Sequence, residues 1–352
     1  MRQSYYKLFT IFVLLYVISA TFSFAEEASK IVDRTFNINS NTKIEIHNKF
    51  GNVVINKWDK NVVDLKVKIE VKGKNESKTQ KILNAIEIDI TDRISSGNLK
   101  FETEIDDMNG NSSFSVHYEV TMPNTNPLKL TNSFGSVYMG SYKGDLAVEV
   151  KYGQFQAEDI DLGDIRIDFS NSRCEIETLK SGKLDLRYSK MSVEELGDVN
   201  VSSQFSDLEI EEAGVLQLHG RYGKLEIGKV KVLTGDIQFA GLDIEYLEES
   251  INLKNRHGDG INIEKISSDF KDIDIQGQFC SVELTFEEET TAQLLFYLEF
   301  GNLKAYGDGI NFDKVIKDHT TSEYEGYLGD KNASASIRVT SRHGNIRLNV
   351  GE

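Results

Sequence analysis

Carboxylates are the chemically capable groups that this sequence repeats most regularly. Glu158, Glu175, Glu194, Glu211 and Glu245 each follow a recurring aromatic by six residues. Glu209, Glu226, Asp243 and Glu283 follow one by four. Hard divalent cations favour clustered oxygen ligands, so Glu209, Glu226 and Asp243 are candidate ligands for weakly bound calcium. The plainer reading of the same columns is a solvated face that keeps strand edges from aggregating. Gly-Asp-Gly-Ile-Asn occurs at 258–262 and again at 307–311. Calcium-binding turns of that composition come in tandem. These copies are isolated, which favours ordinary Asp-Gly turns.

The remaining reactive residues point away from catalysis. His47, His117, His219, His257, His319 and His343 show neither H-x-x-x-H nor H-E-x-x-H spacing, which argues against zinc. G-x-S-x-G and a P-loop are absent, so acyl transfer and nucleotide hydrolysis have no motif. No catalytic residue and no cofactor site is assigned, and the chain reads as a non-enzyme. Cys174 falls in an apolar slot five residues after an aromatic, and Cys280 directly follows one. They stand about six repeats, hence about 29 Å, apart. A disulfide tolerates roughly 7 Å between Cα atoms, so both are expected as free, buried thiols.

What positions these groups is an internal repeat. An aromatic followed by a small residue recurs at Phe134, Tyr152, Phe169, Tyr188, Phe205, Tyr222, Phe239, His257, Phe279 and Phe300. Successive copies are 17 to 22 residues apart, most often 17. Apolar residues alternate before each aromatic and return three, five and eight positions after it, as at Met191, Val193 and Leu196 after Tyr188. Period two means strands with one buried face, and each step of three marks a corner. Three corners per repeat describe a three-sided coil. At about 3.3 Å per residue its perimeter is about 56 Å. The fold expected is all-β: a single-stranded parallel β-solenoid, or β-helix, with rungs of about 17 residues. The small residue should permit the tight bend, and the aromatics should stack inside as a ladder.

The flanks read as β-rich caps over the open ends of the coil. Residues 26–127 hold strand-like runs and one helical candidate, Glu76 to Asn84, with Phe50-Gly51 as an isolated early corner. The array spans 128–310, and 311–352 forms the C-terminal cap, with His343-Gly344 as a late corner. Residues 1–25 combine Arg2 and Lys7 with a short apolar run and small residues before Glu26, the pattern of a secretory signal peptide. No second span follows, which places the protein in the periplasm, on the outer surface or outside the cell. Of 352 residues only two are proline, and the formal charge is −16, which disfavours nucleic acid as a partner. Directly before the aromatics stand Lys151, Asp168, Arg187, Gln204, Arg221, Gln238, Arg256 and Gln278. That face is expected to be mixed to basic.

The stretches YEVTMPNTNPLKLTNSFGSVYMGSYKGDLAVEVKYGQF, NKFGNVVINKWDKNVVDLKVKIEV and TSRHGNIRLNV resemble a bacterial adhesin-like family of secreted β-solenoid domains. The resemblance covers most of the chain and implies the fold and export. It brings no catalytic residues. The leading functional reading is an exported, non-enzymatic protein that presents a long face to a glycan, an envelope polymer or another protein. A polysaccharide lyase or hydrolase would need a groove built by long corner loops, and the corners here are tight. A purely structural or regulatory envelope role is the third reading.

Overall fold

The computed structural model describes residues 26–106 and 113–351. The signal peptide expected at 1–25 lies outside them. The described chain is all-β apart from one short α-helix and a 3-10 turn at Ile94–Ser96, with 23 strands joined into one long, mostly parallel sheet of β-solenoid-like form.

Alternating apolar residues produce this form directly. Met191, Val193, Leu196, Val199 and Val201 are buried, while Glu194-Glu195 and Gly197-Asp198 interrupt the alternation on the outside. Leu184 lies beside Val201 and Val201 beside Leu218, in parallel pairing. Each layer, or rung, therefore places its apolar residues on those of the rung before. Fully burying a Val, Leu or Ile side chain contributes roughly 2 kcal/mol, and every rung repeats it several times.

The order of rungs in space departs from their order in sequence at both ends. Lys43–Lys49 and Val53–Lys57 pair in parallel with Leu128–Ser133 and Val137–Met139. Asn98–Ile105 and Ser113–Met122 pair on the other side of that rung. Antiparallel strands then follow: Ile86–Arg93 on Asn98–Ile105, Val62–Gly73 on Ser113–Met122, and Glu26–Asn37 on Val62–Gly73. The helix Glu76–Asn84 is capped by Asn75, whose side chain accepts from the Lys78 N–H at 3.0 Å, and it buries Thr79 and Leu83.

At the far end, Ser336–Arg342 pairs in parallel with Asp272–Gln278 on one side and with Ala292–Glu299 on the other. Residues 336–350 thus sit within the stack, not in a cap beyond it. The strands that do lie beyond, Thr321–Leu328 and Ile310–Lys317, are antiparallel. The divisions expected at 127 and 310 consequently do not coincide with the ends of the parallel stack.

Candidate functional site

The aromatic corners share one backbone geometry. Phe50, Phe134, Tyr152, Phe169, Tyr188, Phe205, Tyr222, Phe239, His257, Phe279, His343 and Phe300 have φ between 50° and 63°. Among the described residues they are the only non-glycine residues with positive φ. A left-handed conformation costs an L-residue about 1–2 kcal/mol. Two features offset it. The corner N–H donates to the neighbouring rung, as from Tyr188 to the Gln204 carbonyl at 3.0 Å and from Phe205 to the Arg221 carbonyl at 2.9 Å. Each ring also stacks on the next. The small residue that follows has a different task from the bend expected of it. A Cβ on Gly153 would lie 1.9 Å from the Gly135 carbonyl oxygen, so the slot is tight because the neighbouring backbone fills it.

The left-handed turn throws the rings outward. They do not stack inside, as the repeat led us to expect; they form a continuous ladder on the surface. Phe134 is 52% exposed, Tyr188 50% and Phe300 54%. Eleven successive stacks separate ring centroids by 4.6–5.3 Å, with planes within 14° of parallel. Phe50 and His343 belong to the ladder as fully as the ten rings expected, and their aromatic-glycine dipeptides were the signal. Phe114 packs edge-on against Phe50 and closes one end. Because ring faces cover one another, each ring shows solvent its edge.

Charged columns run beside the ladder. The residue preceding each ring pairs with its counterpart on the next rung: Asp168 with Arg187, Arg187 with Gln204, Gln204 with Arg221. Several of these groups form ion pairs. Arg166 meets Asp168 at 3.2 Å, Arg187 meets Asp185 at 3.5 Å, and Arg256 meets Asp236 at 2.9 Å. This face is mixed, as its composition implies. The Nε of Arg187 and one oxygen each of Asp168 and Asp185 are buried without a hydrogen-bond partner.

The acidic columns differ from expectation at Glu175, which is displaced by two residues. Glu175 pairs with Ser192, which pairs with Glu209, so Glu175 joins the column of Glu209. Its place beside Glu158, Glu194 and Glu211 goes to Glu177. The cause is a two-residue surplus at the Phe169 corner, which also puts Cys174 opposite Met191, three and not five positions after the aromatic. Glu158, Glu177, Glu194 and Glu211 border an open groove of about 630 Å³ that also contains Arg173. Two of the three calcium candidates are engaged otherwise: Glu209 is bonded to Arg173, and Glu226 to Lys224. Among the described residues no group of three or more His, Cys, Asp or Glu is placed to hold a metal. Cys174 and Cys280 are free and buried, and burial pushes both thiols up to about 11.

A family model described as Toastrack DUF4097 matches residues 41–349. No curated protein matches the sequence. Solved structures with some likeness include a "putative cell adhesion protein" from Clostridium sporogenes, 13% identical, covering 93% of this chain and 100% of its own, at a TM-score of 0.21. A "putative adhesin" from Parabacteroides distasonis is 10% identical, with coverages of 93% and 98% and a TM-score of 0.34. A "putative lipid binding protein" from the same species is 10% identical, with coverages of 91% and 96% and a TM-score of 0.25. Likeness this loose carries no argument about what the chain binds.

Proposed function

The chain belongs to the Toastrack DUF4097 family, and from that premise we propose that it is an exported, non-enzymatic, adhesin-like protein whose exposed aromatic ladder is its binding face. The observation that carries this reading is the ladder itself. Monomeric soluble proteins rarely leave a long contiguous apolar stripe in water, and where they do the stripe usually marks an interaction site. The backbone strain at every corner adds to the case. A glycine or asparagine would take the left-handed turn more cheaply, yet an aromatic or histidine occupies all twelve corners. In this reading a single three-sided strand coil with rungs of about 17 residues is the scaffold. The antiparallel strands at both ends are its caps, and residues 1–25 direct export to the periplasm, the outer surface or the exterior. The partner is an extended molecule of the envelope or its surroundings.

The test is a glycan array combined with retention of envelope fractions on the immobilised protein. Tyr188→Asn, Phe205→Asn and Tyr222→Asn together remove three adjacent rings while keeping residues that accept the left-handed turn. Wild type should retain a ligand that the triple variant loses, with circular dichroism unchanged. Glu194→Gln with Glu211→Gln, on the acidic face, should retain it. Equal retention by wild type and the ring variant would exclude the ladder as the binding face.

A further inference from the structure

The ladder has a second, longer period. In spatial order from Phe134 its rings are Phe, Tyr, Phe, Tyr, Phe, Tyr, Phe, His, Phe, His, Phe. From Phe134 onward phenylalanine alternates with a polar-tipped ring; Phe50, which stacks on Phe134, lies outside the alternation. The residue before each ring keeps the same beat. Polar-tipped rings follow cations: Lys151-Tyr152, Arg187-Tyr188, Arg221-Tyr222, Arg256-His257 and Arg342-His343. From Phe134 onward no phenylalanine does; Ser133, Asp168, Gln204, Gln238, Gln278 and Glu299 precede them, and the exception is Phe50 at the ladder's end, which follows Lys49. The sequence alone breaks this beat, because Phe279 and Phe300 are consecutive corners. Residues 336–350 restore it by inserting Arg342-His343 between them. A pattern maintained across a break in chain order belongs to the surface.

The chemistry of this surface follows. An aromatic ring is electron-rich on its faces and electropositive at its edge. Stacking hides the faces, so the ladder offers a line of edges that attracts oxygen atoms and repels cations. Tyrosine hydroxyls and imidazole nitrogens add hydrogen-bonding tips on alternate rungs. Beside those tips stand five cations, each two rungs, or about 10 Å, from the next. Four are held by carboxylates: Lys151 by Glu149, Arg187 by Asp185, Arg256 by Asp236 and Arg342 by Glu299. Pairs open to solvent like these are weak and readily exchanged; that of Arg187 with Asp185 is partly buried. The guanidinium of Arg221 lies 5.6 Å from the centroid of the Tyr222 ring.

We propose that the ladder binds an extended acidic polysaccharide carrying one carboxylate per disaccharide, laid along the stack. Each pyranose of an extended β-linked chain advances by about one rung, and alternate sugars turn the same side to the protein. The carboxylates then meet the alternate cations, and the sugar oxygens between them meet the ring edges. Nucleic acid is a poorer match, because it bears a charge on every nucleotide, whereas the cations recur only on alternate rungs. The inference rests on the reading of the ladder as the binding face.

The test measures affinity for hyaluronan oligosaccharides long enough to span the ladder, whose uronic acid recurs once per disaccharide. Chitin oligosaccharides, polyglutamate and single-stranded DNA are the comparison probes. Arg256→Gln combined with Gln204→Arg leaves the net charge unchanged and breaks the two-rung beat. Hyaluronan should bind better than the other three, and the transposed variant should lose about tenfold in affinity. Equal hyaluronan affinity in the transposed variant would overturn the proposal, since charge alone would then suffice. Equal or tighter binding of polyglutamate or DNA would do the same. Chitin binding as well as hyaluronan, with loss in the ring variant, would overturn the acidic ligand and leave the ladder standing. Absence of hyaluronan binding would likewise overturn it, and the fate of the ladder would rest with the array.

Discussion

At the residue scale, two adjacent positions in one corner show how narrowly a repeat can specify its parts. A Cβ on Gly223 would lie 2.0 Å from the Ser206 carbonyl oxygen, and its φ is 112°. Backbone occupies that space on the neighbouring rung, so no side-chain rotation relieves the contact. The side chain of Lys224, one residue on, points into water and makes only an exposed pair with Glu226. Gly223→Val is expected to cost more than about 3 kcal/mol, and Lys224→Val less than about 1 kcal/mol. Melting curves of the two variants check this, and equal midpoints would contradict the corner geometry. The aromatic before the glycine is the residue that carries the left-handed turn.

At the scale of the strand and its corner, the lesson is how far apolar spacing can be read. Alternation around Tyr188, Phe205 and Tyr222 identified strands, their buried sides and their parallel neighbours, because inward residues must land on inward residues. The runs at 43, 62, 98 and 113 and the helix Glu76–Asn84 were legible for the same local reasons. The direction of the aromatics was not legible. Hydrophobicity says inside, whereas one left-handed φ per rung turns the ring out, and no spacing rule reports a dihedral. Counting from the aromatic misplaces the register at Phe169, because it assumes that surplus residues lie elsewhere. Asn171 and Ser172 supply that surplus at the exposed corner, and Cys174 still aligns with Met191. Deleting both should therefore leave strand content and melting temperature nearly unchanged, within about 0.5 kcal/mol of stability. A large loss of circular dichroism signal would show that they belong to the strand.

At the scale of the whole molecule, the order of rungs was hidden from the sequence. Pairing between residues 272–286 and 336–350 spans 64 positions, and nothing in either segment names its partner. The beat of cations and polar rings was hidden with it, since it is visible only once Arg342-His343 stands between Phe279 and Phe300. The insertion has an energetic counterpart. Ser336–Val350 buries Ile337, Val339, Ile346 and Leu348 between two rungs that do not otherwise meet. A chain ended after Ala335 should leave Asp272–Phe286 and Ala292–Tyr306 with facing, unfilled edges. Its melting temperature should fall by more than about 10 °C. An unchanged midpoint would show that the two rungs close on each other without the insert.

That insertion also sets a clock. A coil whose layers followed chain order could wind up from one end as the polypeptide emerged, each new turn settling on the last. Here the turn at Asp272–Phe286 must wait, its edge bare, while some fifty further residues pass, because its proper neighbour has yet to arrive. Closure needs a late segment to slide into a gap between two earlier ones, a non-local step that is slow by its topology. In a polypeptide threaded through a membrane, the same delay would keep the far end of the coil open until residues 336–350 had crossed. Assembly of that end would then report that translocation had proceeded at least so far.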